Sequence, residues 1–274
     1  MHQILSVKPV DLEGLQVRVT APTAPGEHPV IVFSHGYGQS LDGYAPLTDF
    51  WATHGFAVVQ PTHLDSRSIG LPPSDPRTPQ IWRLRVRDVI RVLDSFGALD
   101  AVIPGTLDES RVAVAGHSWG AQTAGMLLGA RAAGFDDNYR DPRVTAGVLL
   151  AATGRGGADL TEFAAGHFPF MSPDFSTLDI PALVVAGDKD QSALTATRGP
   201  DWFTDVYHDS PGAKALLTLH GAEHSLGGIT GYGVTETTDE NPALVAVVQQ
   251  VSTAFLRGGA WPAVDPALGR LETR

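Results

Sequence analysis

Six short apolar runs alternate with helical patterns along this chain of 274 residues, and the alternation restricts the possible folds more than any other feature. Each run is partly β-branched and ends in Gly, Pro or polar residues, which is typical of a buried strand. Buried strands separated by helices are typical of a parallel sheet covered on both faces. The sequence therefore predicts an α/β fold with a mostly parallel, doubly wound sheet. The predicted strands are residues 29–36, 56–63, 111–118, 144–152, 182–188 and 214–221.

Two helices can be predicted from periodicity and end signals. From Pro79, after the candidate N-cap Thr78, apolar residues recur at three- and four-residue steps as far as Phe96. A second helix begins at Asn241 and Pro242 and is stopped by the glycines 258–259. Residues 15–20 alternate between apolar and polar side chains instead, and we expect them to form an antiparallel edge strand.

Nothing in the sequence marks a boundary between domains. Apolar residues make up 43% of the chain, no linker separates two parts, and an α/β fold of this length often remains undivided. We therefore expect one domain over residues 1–274. Two irregular segments, 67–79 and 154–179, are long for connections inside a compact domain, and such loops tend to be functional.

The second irregular segment is rich in aromatic residues. It carries Phe163, Phe168 and Phe170, and we expect a short cap-like insertion in which these rings line an apolar substrate pocket. The stretch after His224 is a candidate for another rim of that pocket, with Tyr232 exposed.

Composition excludes several classes of partner. Lys and Arg total 19 against 30 Asp and Glu, which disfavours binding to nucleic acid or to an anionic membrane. There is no cysteine, so the fold has neither disulfides nor a thiolate metal site. The N-terminus lacks a signal-peptide pattern, and no run of about 18 apolar residues occurs. We expect a soluble, cytoplasmic protein without a membrane partner.

The motif GHSWG, residues 116–120, stands where a predicted strand gives way to a predicted helix. A serine nucleophile must project from the sheet, and a sharp turn between two glycines allows this. The helix that begins after Ser118 directs unpaired backbone N–H groups towards a developing oxyanion. We therefore predict Ser118 as nucleophile and the N–H of Trp119 as one oxyanion donor.

A second oxyanion donor is expected in the loop after an earlier strand. In the motif SHGYG, Gly36 and Gly38 allow the backbone to curl around a small anion, and the N–H of Tyr37 is the candidate donor. The Tyr37 side chain is then placed to cover the substrate. We expect His35 to be bonded to backbone and to have no chemical role.

The base should be a histidine on a loop late in the chain. His224 follows a predicted strand and has small neighbours, which leave room for its imidazole to approach Ser118. His220 lies at the strand end itself and His208 in the preceding predicted helix, so both are poorer candidates.

Two carboxylates follow the strand before that loop. Asp188 directly follows the strand, where a carboxylate commonly accepts hydrogen bonds from the turn it begins. Asp190 lies further along the loop, nearer the level of a loop histidine, and we predict it as the acid that orients His224. The order Ser, Asp, His is the one found when a nucleophile turn sits on a doubly wound sheet.

The motifs SHGYG, GHSWG, GDKD and GAEH, in this order, resemble those of the α/β-hydrolase superfamily, and the resemblance covers about residues 15–256. Within it, residues 29–63 are similar to the branch of dienelactone hydrolases, chlorophyllases and polyester hydrolases. The resemblance implies an esterase that acts on a small molecule and needs no metal or organic cofactor. It likewise places the acid at the second aspartate of GDKD, Asp190.

We consider three functions. The first is a serine hydrolase that cleaves a carboxylic ester or lactone, with Ser118 as nucleophile, His224 as base and then acid, and Asp190 orienting the imidazole. The second is the same triad acting on a thioester, peroxy acid or C–C bond, or in an acyl-transfer step; GDKDQ is also similar to cofactor-free haloperoxidases. A non-catalytic binder is disfavoured, because it would have no use for the complete set.

Overall fold

The apolar runs become neighbouring strands in the computed structural model, which describes residues 1–231 and 239–274. Within these residues the strands are β1 (Ile4–Leu12), β2 (Leu15–Pro22), β3 (Glu27–Ser34), β4 (Ala57–Pro61), β5 (Thr106–His117), β6 (Arg131–Ala132), β7 (Val144–Leu150), β8 (Pro173–Asp174), β9 (Ala182–Gly187), β10 (Ala213–Leu219) and β11 (Gly269–Thr273).

All but β6 and β8 belong to one sheet, in the order β1-β2-β4-β3-β5-β7-β9-β10-β11. Neighbouring strands from β4 to β10 pair in parallel. Antiparallel strands flank this block, with β1 and β2 on one side and β11 on the other. The predicted mostly parallel sheet is therefore confirmed.

Helices connect and flank these strands. They are α1 (Ala45–Thr53), α2 (Ile81–Asp94), α3 (Phe96–Asp100), α4 (Trp119–Leu127), α5 (Glu162–His167), α6 (Asp205–Asp209) and α7 (Pro242–Leu256). The predicted C-terminal helix is confirmed, because the Asn241 side chain accepts the N–H of Ala243 and Gly258 takes a positive φ of 62° after the last turn. None of the helices in the described ranges has the length and apolar character that crossing a bilayer requires.

The predicted start of the other helix is wrong by one short turn. Residues Thr78–Gln80 form a 3₁₀ turn in which Thr78 makes no capping bond, and α2 begins at Ile81. Pro79 suits such a first turn, since it has no N–H to donate and its φ is already close to helical. The helix also ends at Asp94, so that Phe96 belongs to α3.

The prediction of an edge strand at residues 15–20 is also wrong. Strand β2 pairs with both β1 and β4, so it lies inside the sheet. Its polar face is buried as well, because Arg18 donates to Ser6 and forms an ion pair with Asp49. The edge strands are β1 and β11, whose side chains are mostly exposed or half-buried and therefore give no apolar run.

The parallel strands β3, β5, β9 and β10 end at the same edge of the sheet. The loops that follow them carry Tyr37, Ser118, Asp190 and His224, and such an edge is where open α/β sheets place their sites. The insertion 154–179 is more regular than expected, since it contains α5 and strand β8, which pairs with β6.

Candidate active site

Ser118 occupies the turn between β5 and α4 in a strained conformation. Its φ is 56° and its ψ is −120°, a region that costs a non-glycine residue about 1–3 kcal/mol. A Cβ on Gly116 would lie 2.1 Å from the carbonyl oxygen of Gly120, and a Cβ on Gly120 would lie 1.9 Å from that of Ser34. Both glycines are thus required by the close approach of strand and helix.

His224 and Asp190 form a hydrogen-bonded pair. Both carboxylate oxygens of Asp190 lie 3.0 Å from Nδ1 of His224. The Asp190 side chain is completely buried, whereas 43% of the His224 side chain is exposed. Burial raises the pKa of the Asp190 carboxyl, while the hydrogen bond and charge of His224 act in the opposite direction. With Nδ1 directed at the carboxylate, Nε2 is the ring nitrogen that remains for proton transfer.

Asp188 has different partners. Its carboxylate accepts the backbone N–H of Gly221 at 2.8 Å and lies 3.0 Å from Nδ1 of His220. Burial acts to raise the pKa of Asp188, but these two hydrogen bonds, together with the charges of Lys189 and His220, outweigh it and hold the pKa below its usual range. Asp188 therefore fastens the end of β9 to the loop after β10, a structural role as expected, although its partners lie in that loop and not in the turn that Asp188 begins.

Ser118 and His224 line the same cavity, which has a volume of about 250 Å³. Tyr37 lines it too, with its ring 5.0 Å from that of Trp119, the first residue of α4. The backbone N–H groups of Tyr37 and Trp119 thus belong to the two segments that meet beside Ser118. Much of the remaining lining is polar and includes Gln39, Arg67 and Glu223.

The three phenylalanines predicted for the pocket do not line this cavity. Phe170 is buried and stacks on Trp82, with ring centroids 5.7 Å apart. Phe168 is half-buried against the edge of Trp119, and Phe163 is 62% exposed. Phe170 and Phe168 instead anchor the insertion to α2 and α4 through ring contacts with Trp82 and Trp119. The proposed rim residue Tyr232 lies outside the described residues.

Comparison with known proteins finds a family model and relatives that match parts of this chain. A family model described as Chlorophyllase matches residues 6–135. Chlorophyllase-1 of Arabidopsis thaliana is 27% identical over 172 residues, which are 62% of this chain and 48% of that protein. Epoxide hydrolase B of Mycobacterium tuberculosis (strain ATCC 25618 / H37Rv) is 30% identical over 127 residues, 45% of this chain and 30% of that protein.

These matches are consistent with a member of the α/β-hydrolase superfamily, and the predicted α/β-hydrolase fold is confirmed. The chain spans less than half the length of each of these two relatives.

Behind residues 35–38, the predicted oxyanion loop, lies an ion pair that sequence patterns did not reveal. The guanidinium of Arg85 donates to both oxygens of Asp65, and both side chains are only 1% exposed. Arg85 also donates to the carbonyl of His35, while Asp65 accepts the N–H of Gly38 at 3.3 Å. The ion pair thus holds the loop at both ends. His35 is bonded to backbone groups of Gly36 and His63, as expected.

A second Ser-His-Asp set lies beside this ion pair, entirely behind the site. Nε2 of His63 is 2.9 Å from Oγ of Ser34, and its Nδ1 is 2.9 Å from Asp88. Ser34 and His63 are buried, so this set is a structural one. Burial raises the pKa of Asp88 to about 7. Burial also lowers the pKa of His63, and the positive charge of Arg85 lowers it further.

The loop of His224 is held by Asp239, another residue that the sequence did not single out. Its carboxylate accepts the backbone N–H groups of Glu223 and Gly227, each at 2.8 Å, and the hydroxyl of Ser225 at 2.6 Å. These bonds fix the backbone on both sides of His224. No local pattern predicts them, since Asp239 lies in a polar stretch that is equally typical of a plain loop.

Proposed function

We propose that this chain is a serine hydrolase that cleaves a carboxylic ester or lactone through an acyl-enzyme intermediate. One observation carries the proposal: a serine at a strained turn shares a cavity with a histidine whose Nδ1 is held by a buried carboxylate. A serine hydroxyl is a weak nucleophile until a base takes its proton, and a histidine held in this way can do so.

In the first half of the reaction, Nε2 of His224 takes the proton of Ser118 as Oγ attacks the carbonyl carbon of the substrate. The carbonyl π electrons move to oxygen, and the N–H groups of Tyr37 and Trp119 donate to the resulting oxyanion. When the tetrahedral intermediate collapses, the protonated imidazole gives its proton to the leaving alkoxide. The acyl group then remains on Ser118, and Asp190 has stabilised the imidazolium meanwhile.

In the second half, water takes the place of the alcohol. His224 removes a proton from water, hydroxide oxygen attacks the acyl carbon, and collapse of the second intermediate returns the proton to Oγ of Ser118. The products are a carboxylic acid and an alcohol, or a hydroxy acid if the substrate is a lactone. We also propose that residues 1–274 form one domain, since the nine strands of the described main sheet are continuous.

A fluorophosphonate probe and a panel of p-nitrophenyl esters test this proposal. The unchanged chain should gain one covalent adduct at Ser118, located by peptide mass spectrometry. Ser118→Ala should abolish the adduct and lower turnover on the order of 10³-fold or more, because the surviving oxyanion donors supply only part of the catalysis. Ser110→Ala is the control, because Ser110 lies on the same strand β5 but its exposed hydroxyl bonds only Asp108 in the described hydrogen bonds, so its loss should leave the adduct on Ser118. Labelling of Ser118→Ala, or its turnover near the parent rate, would refute the proposal.

A further inference from the structure

Two buried side chains join the three loops of the proposed site. The hydroxyl of Tyr44 accepts the backbone N–H of Gly36 at 2.9 Å and lies 2.9 Å from Nδ1 of His117. Nε2 of His117 lies 2.7 Å from the backbone oxygen of His224. Gly36 precedes the oxyanion donor Tyr37, His117 precedes the nucleophile, and His224 is the base. One hydrogen-bonded chain thus connects all three functions.

The direction of every bond in this chain is determined by chemistry. A backbone oxygen can only accept, so Nε2 of His117 carries the proton. Nδ1 of the neutral ring is then an acceptor and receives the O–H of Tyr44, whose oxygen in turn accepts the N–H of Gly36. Burial, together with the nearby imidazole of His224, lowers the pKa of His117 to about 3, so the ring remains neutral at the pH of ordinary assays.

The residues of this hydrogen-bonded chain are tightly packed, so their side chains have little space to move. Tyr44 is completely buried and His117 is almost so. A Cβ on Gly36 would lie 2.9 Å from the Tyr44 hydroxyl and 3.2 Å from Nδ1 of His117, so the glycine allows the oxyanion loop to approach both. Tyr44 itself holds a positive φ of 65°, a conformation that a non-glycine residue takes only when its surroundings impose it.

We propose that Tyr44 and His117 are positioning residues that fix the oxyanion loop, the nucleophile turn and the base loop relative to one another. This inference rests on the proposed function, because the spacing matters only if the three loops act together. A displacement of about 1 Å at reacting groups can lower a rate about 10²-fold.

Three substitutions test the inference. Tyr44→Phe removes only the hydroxyl and retains the ring, which contacts Phe33 at 4.7 Å. His117→Asn places an oxygen near the position of Nδ1 and retains an acceptor for Tyr44, whereas His117→Gln places an N–H near the position of Nε2 and retains the bond to His224. We expect each to lower kcat about 10- to 100-fold with KM within twofold, because alignment with the oxyanion matters chiefly in the transition state.

Ser252→Ala is the matched control for loss of a buried hydrogen bond. Ser252 is completely buried and accepts the indole N–H of Trp51 at 3.0 Å, with no link to the three loops in the hydrogen bonds described. The melting temperature of Ser252→Ala should fall at least as much as that of Tyr44→Phe, while the kcat of Ser252→Ala should remain within twofold of the parent. If kcat falls no further in Tyr44→Phe and His117→Gln than in Ser252→Ala, the inference is overturned.

Backbone hydrogen exchange gives a readout that does not depend on activity. In Tyr44→Phe, exchange should become faster in residues 35–39 and 223–229 and should be unchanged in β7 and α7. Unchanged exchange in both loops overturns the inference, whatever the kinetics. Failure of the proposed function is recognised separately, because the unchanged chain would then not react with the fluorophosphonate probe, while the exchange result would still decide whether Tyr44 holds the loops.

Discussion

The pair of aspartates after β9 allows the sharpest prediction, because the two carboxylates lie close together in sequence and have different partners. Asp190→Asn replaces the buried carboxylate beside His224 with a neutral group of the same shape. The amide can donate its N–H to Nδ1, which favours the tautomer with the proton on Nε2. That tautomer cannot take the proton of Ser118, and the imidazolium loses its counter-charge.

The size of the effect follows from the distance. Two unit charges 3.0 Å apart interact by about 5 kcal/mol at an effective dielectric constant of about 20. Because 43% of the His224 side chain is exposed, solvent screens part of this interaction, and roughly 3 to 5 kcal/mol remains. A loss of that size corresponds to about 10²- to 10⁴-fold in kcat/KM.

The substitutions Asp190→Asn and Asp188→Asn should have different effects on the stability of the fold. Burial raises the pKa of Asp190, so the stability that its protonated form contributes is lost as pH rises through that raised pKa. At pH 8 Asp190→Asn removes this cost, and the melting temperature should be unchanged or higher. The pKa of Asp188 is instead depressed, so its carboxylate stabilises the fold above the ordinary pKa. Asp188→Asn should lower the stability by about 1 kcal/mol.

The assay is kcat/KM for p-nitrophenyl butyrate at pH 8 together with the melting temperature of both variants. We expect Asp190→Asn to be folded and nearly inactive, and Asp188→Asn to be active and less stable. If Asp188→Asn alone loses activity while Asp190→Asn retains it, the assignment of the acid is wrong.

Three further predictions concern the surroundings of the site. The pKa of Asp88 is raised to about 7, so the stability that its protonated form contributes is present below about pH 4 and is lost as pH rises through 7, by up to about 1.4 kcal/mol per pH unit. Asp88→Asn should remove this decline. Parallel stability curves from pH 5 to 8 for parent and variant would contradict the reasoning. Gly120→Ala should lower the free energy of unfolding by on the order of 3 kcal/mol or prevent folding, because the added Cβ would lie 1.9 Å from the Ser34 backbone oxygen. Gly97→Ala is the control: its Cβ would have no atom within 4 Å, so the variant should melt within a few degrees of the parent. Tyr37 lines the cavity and Phe163 does not. Tyr37→Ala should therefore lower kcat/KM for a hexanoate ester roughly fivefold, through the loss of about 1 kcal/mol of apolar contact, whereas Phe163→Ala should change kcat/KM less than twofold. Equal effects would show that the cavity beside Ser118 is not where the acyl group binds.

The sequence by itself determined the features that depend on neighbours along the chain. The apolar runs fix the six strands of the parallel block, β3, β4, β5, β7, β9 and β10. The glycines around Ser118 fix the turn from β5 to α4. The order of Ser118, Asp190 and His224 follows from the same local patterns, and their roles stay predictions until the variants are measured. Such signals are readable because strand, turn and helix preferences arise within a few residues.

Tertiary structure alone decided what meets across the sheet. The three phenylalanines predicted for the pocket lie outside the lining of the cavity beside Ser118, and Phe170 stacks on Trp82, which lies 88 positions earlier in the sequence. The hydrogen bonds of His117 to Tyr44 and to His224 join residues that are 73 and 107 positions apart in the sequence, and no local pattern predicts contacts over such separations. Buried polar groups must find partners wherever the fold brings them, so these contacts are set only when the loops of several strands share one edge.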